Sequence, residues 1–242
     1  MAIVLYTDFT AGDIYVGQMK AVLVEHASGM PLIDLFHDAP DYDIRASAHL
    51  LAACLARFPV STVFLAVVDP GVGTQRDAVV LECDGRYLVG PDNGLLSVCA
   101  ARATQTRCWS IAWRPPELSA SFHGRDVFAP VAAAIGADRW PADRLIAKPC
   151  LDVQLGGADV PQIIYVDHYG NACTGLRASG VPQRTTIAAG GRRLSYARVF
   201  GAAVPGEPFW YENSLGLVEI AANRASAAAM LGLSPGTAVQ VL

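Results

Sequence analysis

The stretch Thr62-Val63-Phe64-Leu65-Ala66-Val67-Val68-Asp69-Pro70-Gly71-Val72-Gly73-Thr74-Gln75-Arg76 decides the fold class. It begins with an almost entirely apolar run, which is typical of a strand buried on both faces of a sheet. A carboxylate and a glycine turn follow directly, and open α/β sheets bind their ligands at this carboxyl end of the strands. We therefore expect an α/β sheet with Asp69 at its functional edge and Arg76 folded back towards it.

The charged residues of this stretch have two interpretations. A guanidinium at Arg76 beside Asp69 keeps the carboxylate ionised, whereas the alternative is a surface ion pair that contributes little. A phosphate loop is disfavoured, because neither the Walker A lysine nor a G-x-G-x-x-G repeat is present. A second segment, Phe122-His123-Gly124-Arg125-Asp126-Val127-Phe128-Ala129-Pro130, adds a histidine that is either a catalytic group or a structural side chain.

The composition excludes several classes of protein. The chain of 242 residues is 52% hydrophobic and 17% charged, which predicts a globular protein with a sizeable core. A net charge of −4 and the lack of a basic stripe argue against a nucleic-acid partner. No apolar run of about 18 residues predicts a membrane span. The N-terminus begins with a strand pattern and the six cysteines are dispersed, which favours a cytoplasmic protein with unpaired thiols.

Two parts of the chain show different patterns. Residues 1–150 alternate strands and helices, which predicts a layered α/β domain with a largely parallel sheet. A stretch at about 148–161 lacks periodicity and predicts a linker. Residues 161–242 contain short strands and turn signals, which predicts a smaller all-β, barrel-like C-terminal domain. Asp84-Gly85 and Gly190-Gly191 predict tight hairpins.

The predicted helices cover 15–25, 44–58, 93–104 and 127–136. The predicted strands cover 3–6, 31–36, 62–68, 78–83, 86–89, 107–111, 162–167, 185–189, 192–196, 209–212, 217–221 and 238–242.

Further polar side chains follow other predicted strands. Asp8 ends the first one and either accepts hydrogen bonds from a ribose diol or caps the next helix. In the C-terminal half, Asp167-His168-Tyr169-Gly170-Asn171 follows a strand pattern. Asn171 has the donor and acceptor needed for an adenine edge, and Tyr169 can stack on a base, although an Asx-type turn explains the same residues. A metal site in this segment is disfavoured, because no second ligand pair has suitable spacing.

Six motifs occur in order along nearly the whole chain. They are Thr7-Asp8-Phe9 with Asp13-x-Tyr15-Val16-Gly17, Asp69-Pro70-Gly71-Val72-Gly73-Thr74-x-Arg76, Gly90-Pro91-Asp92-Asn93-Gly94-Leu95-Leu96, Phe122–Pro130, Asp167–Asn171, and Asn213-Ser214-x-Gly216-x-x-Glu219-Ile220-Ala221. Together they resemble the S-adenosyl-L-methionine (SAM) hydroxide adenosyltransferases, which are adenosine-forming SAM hydrolases related to the fluorinase and the chlorinase. The halogenating relatives replace the Asp and Arg of the second motif with uncharged residues, so this chain resembles the hydrolase branch. Halide-dependent SAM cleavage and a SAM- or adenosine-binding sensor without turnover remain the alternatives.

The resemblance implies that water attacks the ribose C5′ of SAM and releases adenosine and L-methionine, with neither a metal nor another cofactor. It implies a homotrimer in which the N-terminal domain of one subunit and the C-terminal domain of its neighbour bind SAM together. The catalytic set falls on Asp69, Arg76 and His123, with Asp69 expected to activate or orient the water and His123 to hold it or relay its proton. The implied substrate contacts are Asp8, Val72, Gly124, Asp167, Tyr169, Asn171, Phe209 (or Trp210), Ser214 and Arg224.

Three positions depart from the family's pattern. Thr10 stands where a glycine is usual, Phe36 where a threonine is usual, and Gly175 where an asparagine is frequent. These departures concern the expected detail of the pocket and leave the catalytic set intact.

Overall fold

The computed structural model describes residues 1–242 and divides them into two units, Met1–Gly157 and Ala158–Leu242. The strands of the first unit are β1 (Ile3–Thr7), β2 (Leu32–Phe36), β3 (Val63–Val67), β4 (Ala78–Cys83), β5 (Arg86–Pro91), β6 (Thr106–Ile111) and β7 (Leu145–Lys148). Its helices are α1 (Ile14–His26), α2 (Ile44–Leu55), α3 (Ser97–Arg102) and α4 (Ala129–Gly136), and a π-helical turn, Gly124–Phe128, leads into α4.

All seven strands of the first unit form one sheet in the order β2-β1-β3-β5-β4-β6-β7. The neighbours β2, β1, β3 and β5 pair in parallel, whereas β4 is antiparallel to β5 and β6, and β7 is antiparallel to β6. Only β4 and β7 therefore oppose the direction of the other strands, and the predicted largely parallel α/β sheet is confirmed. Every residue of β1 and β3 is buried, as expected for strands covered on both faces.

Helices cover both faces of this sheet. Met19 and Leu23 of α1 share a core cluster with Ile3, Leu65 and Val131, so α1 and α4 lie on one face. Side chains of successive strand residues point to opposite faces. Tyr6 accordingly reaches α2 on the other face, where its hydroxyl donates to the carbonyl of Ser47 at 2.9 Å.

Local turn chemistry explains one confirmed hairpin and one shortened helix. Asp84 and Gly85 join β4 to β5 with φ angles of 47° and 78°, which fits the predicted two-residue hairpin. The helix predicted over 93–104 is confined to α3. Asn93 accepts a hydrogen bond from the Leu95 backbone N–H, and Gly94 has a φ of 103°, so these residues form a turn ahead of the helix.

Strand β7 was not among the sequence predictions. Its last residue, Lys148, contacts the carboxylates of Asp77, Asp92 and Asp152 at distances of 2.6 to 2.9 Å. Asp92 also accepts hydrogen bonds from the backbone N–H groups of Asp152 and Val153. These ion pairs and hydrogen bonds therefore hold the segment after β7 against the segment after β5.

The second unit contains two small antiparallel sheets. Strands β12 (Pro208–Glu212), β13 (Leu217–Ala222), β9 (Ala172–Arg177) and β8 (Val160–Val166) form one, and β11 (Arg192–Leu194), β10 (Ile187–Ala189) and β14 (Gln240–Val241) form the other. The predicted small β domain and the Gly190-Gly191 hairpin are confirmed. Both sheets are open rather than closed into a barrel, and a short helix, α5 (Ala227–Leu231), belongs to the unit.

Strand β9 was missed, and its Gly175 accounts for one departure from the family's pattern. A Cβ at this position would lie 2.1 Å from a Val160 methyl group and 2.8 Å from the Val160 carbonyl oxygen, so only glycine fits against β8. Across the whole chain, no helix combines the length and apolar character that crossing a bilayer requires.

Candidate active site

The sheet brings Asp8 and Asp69 to the same edge. Thr7, the last residue of β1, pairs in parallel register with Val67, the last residue of β3. Asp8 follows Thr7 directly, and Asp69 follows Val67 by two residues. Since both strands end here, the two carboxylates lie at the carboxyl edge of adjacent strands, which is where the sequence predicted ligand binding.

Asp69 and Arg76 form a two-pronged ion pair. Nε of Arg76 donates to one Asp69 oxygen at 2.7 Å, and a second guanidinium nitrogen contacts the other oxygen. The side chains are only 5% and 11% exposed, so the alternative of a surface ion pair is wrong. Burial, with a further contribution from Arg114, lowers the pKa of Arg76 to about 10, which leaves the guanidinium charged at neutral pH. The guanidinium therefore holds Asp69 in place and offsets its charge.

The loop of Asp69 packs against the segment that precedes His123. Gly73 has a φ of +84°, and a Cβ there would lie 2.7 Å from the Ala120 carbonyl oxygen. The other end of this loop is held by Asn93, whose amide donates to the Val68 carbonyl at 2.9 Å. Val72 lies half-buried in the same loop. These contacts bring the two sequence motifs together.

His123 occupies the N-cap position of the π-helical turn without a capping hydrogen bond from its side chain, and it is partly buried. Burial lowers its pKa, and the charges of Arg76 and Arg114 act in the same direction, against the opposing effect of Asp126. The lowered pKa favours the uncharged imidazole, which is able to accept a proton. π-helical turns inside helices occur frequently at functional sites.

Gly124 sits in the most crowded part of this turn. A Cβ there would lie 3.0 Å from the Met19 sulfur and 3.2 Å from the Phe122 ring. Phe122 also makes edge contacts with Phe9 and Tyr15, at ring-centroid distances of 6.0 and 5.2 Å. Sequence analysis missed this aromatic cluster as a unit, because its members lie in two separate motifs.

Asp8 carries a buried oxygen, Oδ1, that has no hydrogen-bond partner. Burial raises the pKa of this carboxyl group, and the charge of Asp41 adds to the effect. The helix-cap alternative is wrong, because Asp13 caps α1 by accepting from the Ile14 N–H at 2.6 Å. A buried polar atom without a partner is costly in a folded protein. Its position at the sheet edge fits an acceptor awaiting a donor from a ligand.

In the second unit, Asp167 closes the turn between β8 and β9. Its carboxylate accepts from the backbone N–H groups of Tyr169 and Asn171 and from the Asn171 side-chain amide, all at 2.8 to 2.9 Å. The Asx-type turn is therefore present. Because the Asn171 amide nitrogen donates to Asp167, its carbonyl oxygen remains to accept from another group. Asn171 is buried, whereas Tyr169 is 76% exposed.

Two hairpin turns of this unit carry exposed candidate residues. Ser214 is exposed in the turn between β12 and β13, where Asn213 accepts from the backbone N–H groups of Leu215 and Leu217 at 3.0 Å. Arg224 is exposed and has a φ of 60°, a left-handed conformation that is unfavourable for a residue with a Cβ.

Alternation along β12 decides between Phe209 and Trp210. Trp210 belongs to the core of the second unit, where its indole N–H donates to the Thr185 carbonyl at 2.9 Å. Phe209 therefore points to the opposite face, where its ring packs against Phe200 and Tyr211 at 5.4 and 5.7 Å. Phe209 is therefore the better candidate of the two for the predicted aromatic contact.

The same face contains a buried carboxyl group, Glu219, that the sequence analysis left without a role. The Tyr211 hydroxyl donates to it, and so does the Asn213 amide, at 2.9 Å. Burial raises the pKa of Glu219, and the charge of Asp167 adds to the effect. A charged residue inside the apolar run 217–222 is the signal that points to it. Across the whole chain, no group of three or more His, Cys, Asp or Glu side chains is arranged so that it could hold a metal ion.

Known proteins resemble this chain over nearly its full length. The family model of the SAM hydroxide adenosyltransferase N-terminal domain matches residues 3–144, and that of the C-terminal domain matches residues 161–240. A (R)-S-adenosyl-L-methionine hydrolase from Thermus thermophilus is 38% identical over 98% of this chain and 97% of its own length. The crystal structure of a conserved protein from Thermotoga maritima superimposes with a TM-score of 0.90 at 31% identity, covering 99% of this chain and all of the other.

A fluorinase from Actinoplanes sp. is more distant, at 23% identity over 99% of this chain. Two domain families therefore match in the expected order, and they do so on either side of the boundary between the two units. The chain belongs to the SAM hydroxide adenosyltransferase family.

Proposed function

We propose that this protein hydrolyses SAM to adenosine and L-methionine. The observation that carries the proposal is the buried Asp69–Arg76 pair at the carboxyl edge of β3, with the unpartnered carboxylate oxygen of Asp8 at the end of the adjacent strand. The name of the Thermus thermophilus relative, which this chain matches over nearly its full length, supports the same activity.

The reaction is a displacement at the ribose C5′. A water oxygen forms a bond to C5′ while the C5′–S bond breaks, and the electron pair of that bond stays on sulfur. The sulfonium becomes the neutral thioether of methionine, and one water proton passes to a base. Positive charge on sulfur disappears in the transition state, so weakly polar surroundings favour the step. Holding the water in line with the breaking bond supplies a further large acceleration.

The ion pair at Asp69 and the lowered pKa of His123 support a division of labour between the two residues. Both Asp69 oxygens already accept from Arg76, which makes the carboxylate a weaker base but a rigid acceptor. Asp69 therefore orients the water. The lowered pKa of His123 keeps its ring unprotonated, so His123 takes the proton.

The remaining predicted residues bind the substrate. Asp8 accepts hydrogen bonds from the ribose hydroxyls through its unpartnered oxygen. The carbonyl of Asn171 accepts from the adenine amino group, and Phe209 and the exposed Tyr169 supply aromatic surface beside the base. The residues that we assign to the methionine part are Asp167 and Ser214, and those that we assign to further contacts are Val72, Gly124 and Arg224.

The protein acts, on this proposal, as a homotrimer whose active sites combine residues of two subunits. The presence of predicted contacts in both units supports this, as does the family resemblance. Light scattering should give the mass of three chains. Mixing inactive Asp69→Asn and Asn171→Ala proteins, with subunit exchange, should restore part of the activity. A fully active monomer would contradict the proposal. The cytoplasmic location expected from the sequence stays a prediction that cell fractionation tests.

The decisive experiment follows SAM in oxygen-18 water containing chloride. Mass spectrometry should find the label in the 5′-hydroxyl of adenosine, with methionine unlabelled and in equal amount. Asp69→Asn protein purified in parallel should give little product, which excludes a contaminating enzyme. 5′-Chloro-adenosine as the main product would instead assign halide-dependent cleavage, and SAM binding without product would assign a sensor.

A further inference from the structure

A chain of four hydrogen-bonded side chains runs from the surface of α1 to the buried end of β1. Lys20 donates to Asp34 at 2.5 Å, Nε2 of His37 lies 3.0 Å from Asp34, and Nδ1 of His37 lies 2.8 Å from the Thr7 hydroxyl. Asp34 and Lys20 are partly exposed, whereas His37 is 5% exposed and Thr7 is fully buried. These four side chains belong to neither the catalytic set nor the predicted substrate contacts.

The donors and acceptors fix the direction of this chain. A carboxylate only accepts, so Nε2 of His37 donates to Asp34 and Nδ1 is left to accept from the Thr7 hydroxyl. The Thr7 oxygen in turn accepts from the Phe9 backbone N–H at 3.3 Å. The order hydroxyl, imidazole, carboxylate resembles that of a hydrolase triad. Thr7 is fully buried, however, so its hydroxyl acts on the adjacent backbone rather than on a substrate.

His37 also ties two segments of backbone together. Its carbonyl accepts from the Thr10 N–H at 2.6 Å, and two residues later the Ala39 N–H donates to the Thr7 carbonyl at 3.1 Å. Thr10 has a φ of 57°, which is strained for a residue with a Cβ. Asp8 lies between these anchor points with a buried, unpartnered oxygen. Without the anchors, the turn would relax and the carboxylate would turn to water.

We propose that His37 is a positioning residue that holds Asp8 ready for the ribose, and thereby sets the affinity for the nucleoside part of the substrate. The proposal rests on the SAM hydrolysis proposed above. None of the four side chains contacts Asp69, Arg76 or His123. Loss of the hydrogen bonds at His37 should therefore weaken substrate binding and leave the chemical step unchanged.

Three substitutions at His37 separate its two ring nitrogens. His37→Phe removes both, His37→Asn keeps a group near Nδ1, and His37→Gln keeps one near Nε2. His37→Phe and His37→Gln should raise KM for SAM about tenfold, the effect of losing one or two hydrogen bonds, with kcat within about twofold of wild type. His37→Asn should stay close to wild type, as should the control His26→Gln, which changes an exposed histidine. A lowered kcat with unchanged KM would overturn the proposal.

A second experiment needs no turnover. Asp8→Asn removes the charge of a partly buried carboxylate with one buried, unpartnered oxygen, and it should raise the urea midpoint of unfolding in the wild-type background. In the His37→Phe background the turn is already relaxed, so the same substitution should raise the midpoint much less. If His37→Phe does not fold, Thr7→Val takes its place, because it exchanges only the hydroxyl for a methyl group of similar size. Equal shifts in both backgrounds would refute the coupling, whereas wild-type protein that leaves SAM intact would refute only the proposed function.

Discussion

The two units hold their candidate site residues by different physical means. In the first, a complete ion pair, Asp69–Arg76, is buried between loops, with the guanidinium 5.9 Å from the centre of the Phe128 ring. In the second, the side chains of Asp167 and Asn213 accept hydrogen bonds from backbone N–H groups of their own turns and thereby close them. The buried ion pair holds charged groups at fixed positions, whereas the closed turns fix the conformation of the backbone. The first arrangement suits chemistry and the second suits recognition.

The largest effect is expected from Asp69→Asn in the first unit, because this substitution keeps the size of the side chain and removes its charge. We expect turnover to fall by about 10²-fold or more, because the attacking water is no longer held in line with the breaking C5′–S bond. The KM for SAM should change little, because the carboxylate acts on the water. Asp8→Asn is the matched contrast and should mainly raise KM. Normal turnover with lost binding in Asp69→Asn would mean that Asp69 only offsets the sulfonium charge.

A pH profile tests the other half of the catalytic set. The rate should fall as the pH falls through the pKa of His123, because the protonated ring accepts no proton. Burial and two arginine charges lower that pKa, so the acid limb of kcat/KM should lie below pH 6.5. His123→Gln should lower the rate by about 10²-fold and remove the limb. Asp126→Asn removes the charge that opposes the shift and should move the limb further down. A limb above pH 6.5 contradicts the assignment.

Glu219→Gln tests the role of a buried carboxyl group in the second unit. Because the folded protein disfavours ionised Glu219, the stability that this group contributes is present below its ordinary pKa of 4.5 and is lost as pH rises through the raised pKa. Urea unfolding across this range should show that the free energy of unfolding of the wild type falls with rising pH relative to that of Glu219→Gln. The substitution also disturbs the hydrogen bond that the Asn213 amide donates to this side chain. KM for SAM should therefore rise severalfold, which corresponds to about 1 kcal/mol. Unaltered KM would separate Glu219 from the binding turn.

The smallest effect is expected at Thr10. Its φ of 57° favours glycine, which is the usual residue of the family at this position. Thr10→Gly should raise the free energy of unfolding by about 0.5–1 kcal/mol, the relief of left-handed strain less the flexibility gained by the unfolded chain. Thr10→Ala keeps a Cβ and should give no such gain. Equal stabilisation by both substitutions would show that the strain lies elsewhere.

Sequence patterns predicted best those features that depend on neighbouring residues. The Asp84-Gly85 hairpin formed as expected, because the left-handed φ angles that it needs are a local property. Asp69 was placed correctly because a buried strand followed by a carboxylate and glycines is itself a local signal. The approach of Arg76 needed only a turn of seven residues.

Features that depend on strand register were out of reach. Strand β9, Ala172–Arg177, has small and polar residues, and its burial comes from pairing with β8 and β13. The choice between Phe209 and Trp210 needed the face of the sheet that each side chain occupies. The chain from Lys20 to Thr7 exists only because β1 and β2 pair side by side.

Gly73 makes the loop of Asp69 and the segment before His123 depend on each other in shape. Its backbone is left-handed and its α-carbon faces a carbonyl oxygen of the other loop, so a side chain is excluded twice. An insertion or deletion near Ala120 therefore needs a compensating change around Gly73. A protein engineer who diversifies one loop alone will mostly recover misfolded variants, whereas libraries that exchange residues 69–76 and 119–124 as one cassette sample sequences that can still close.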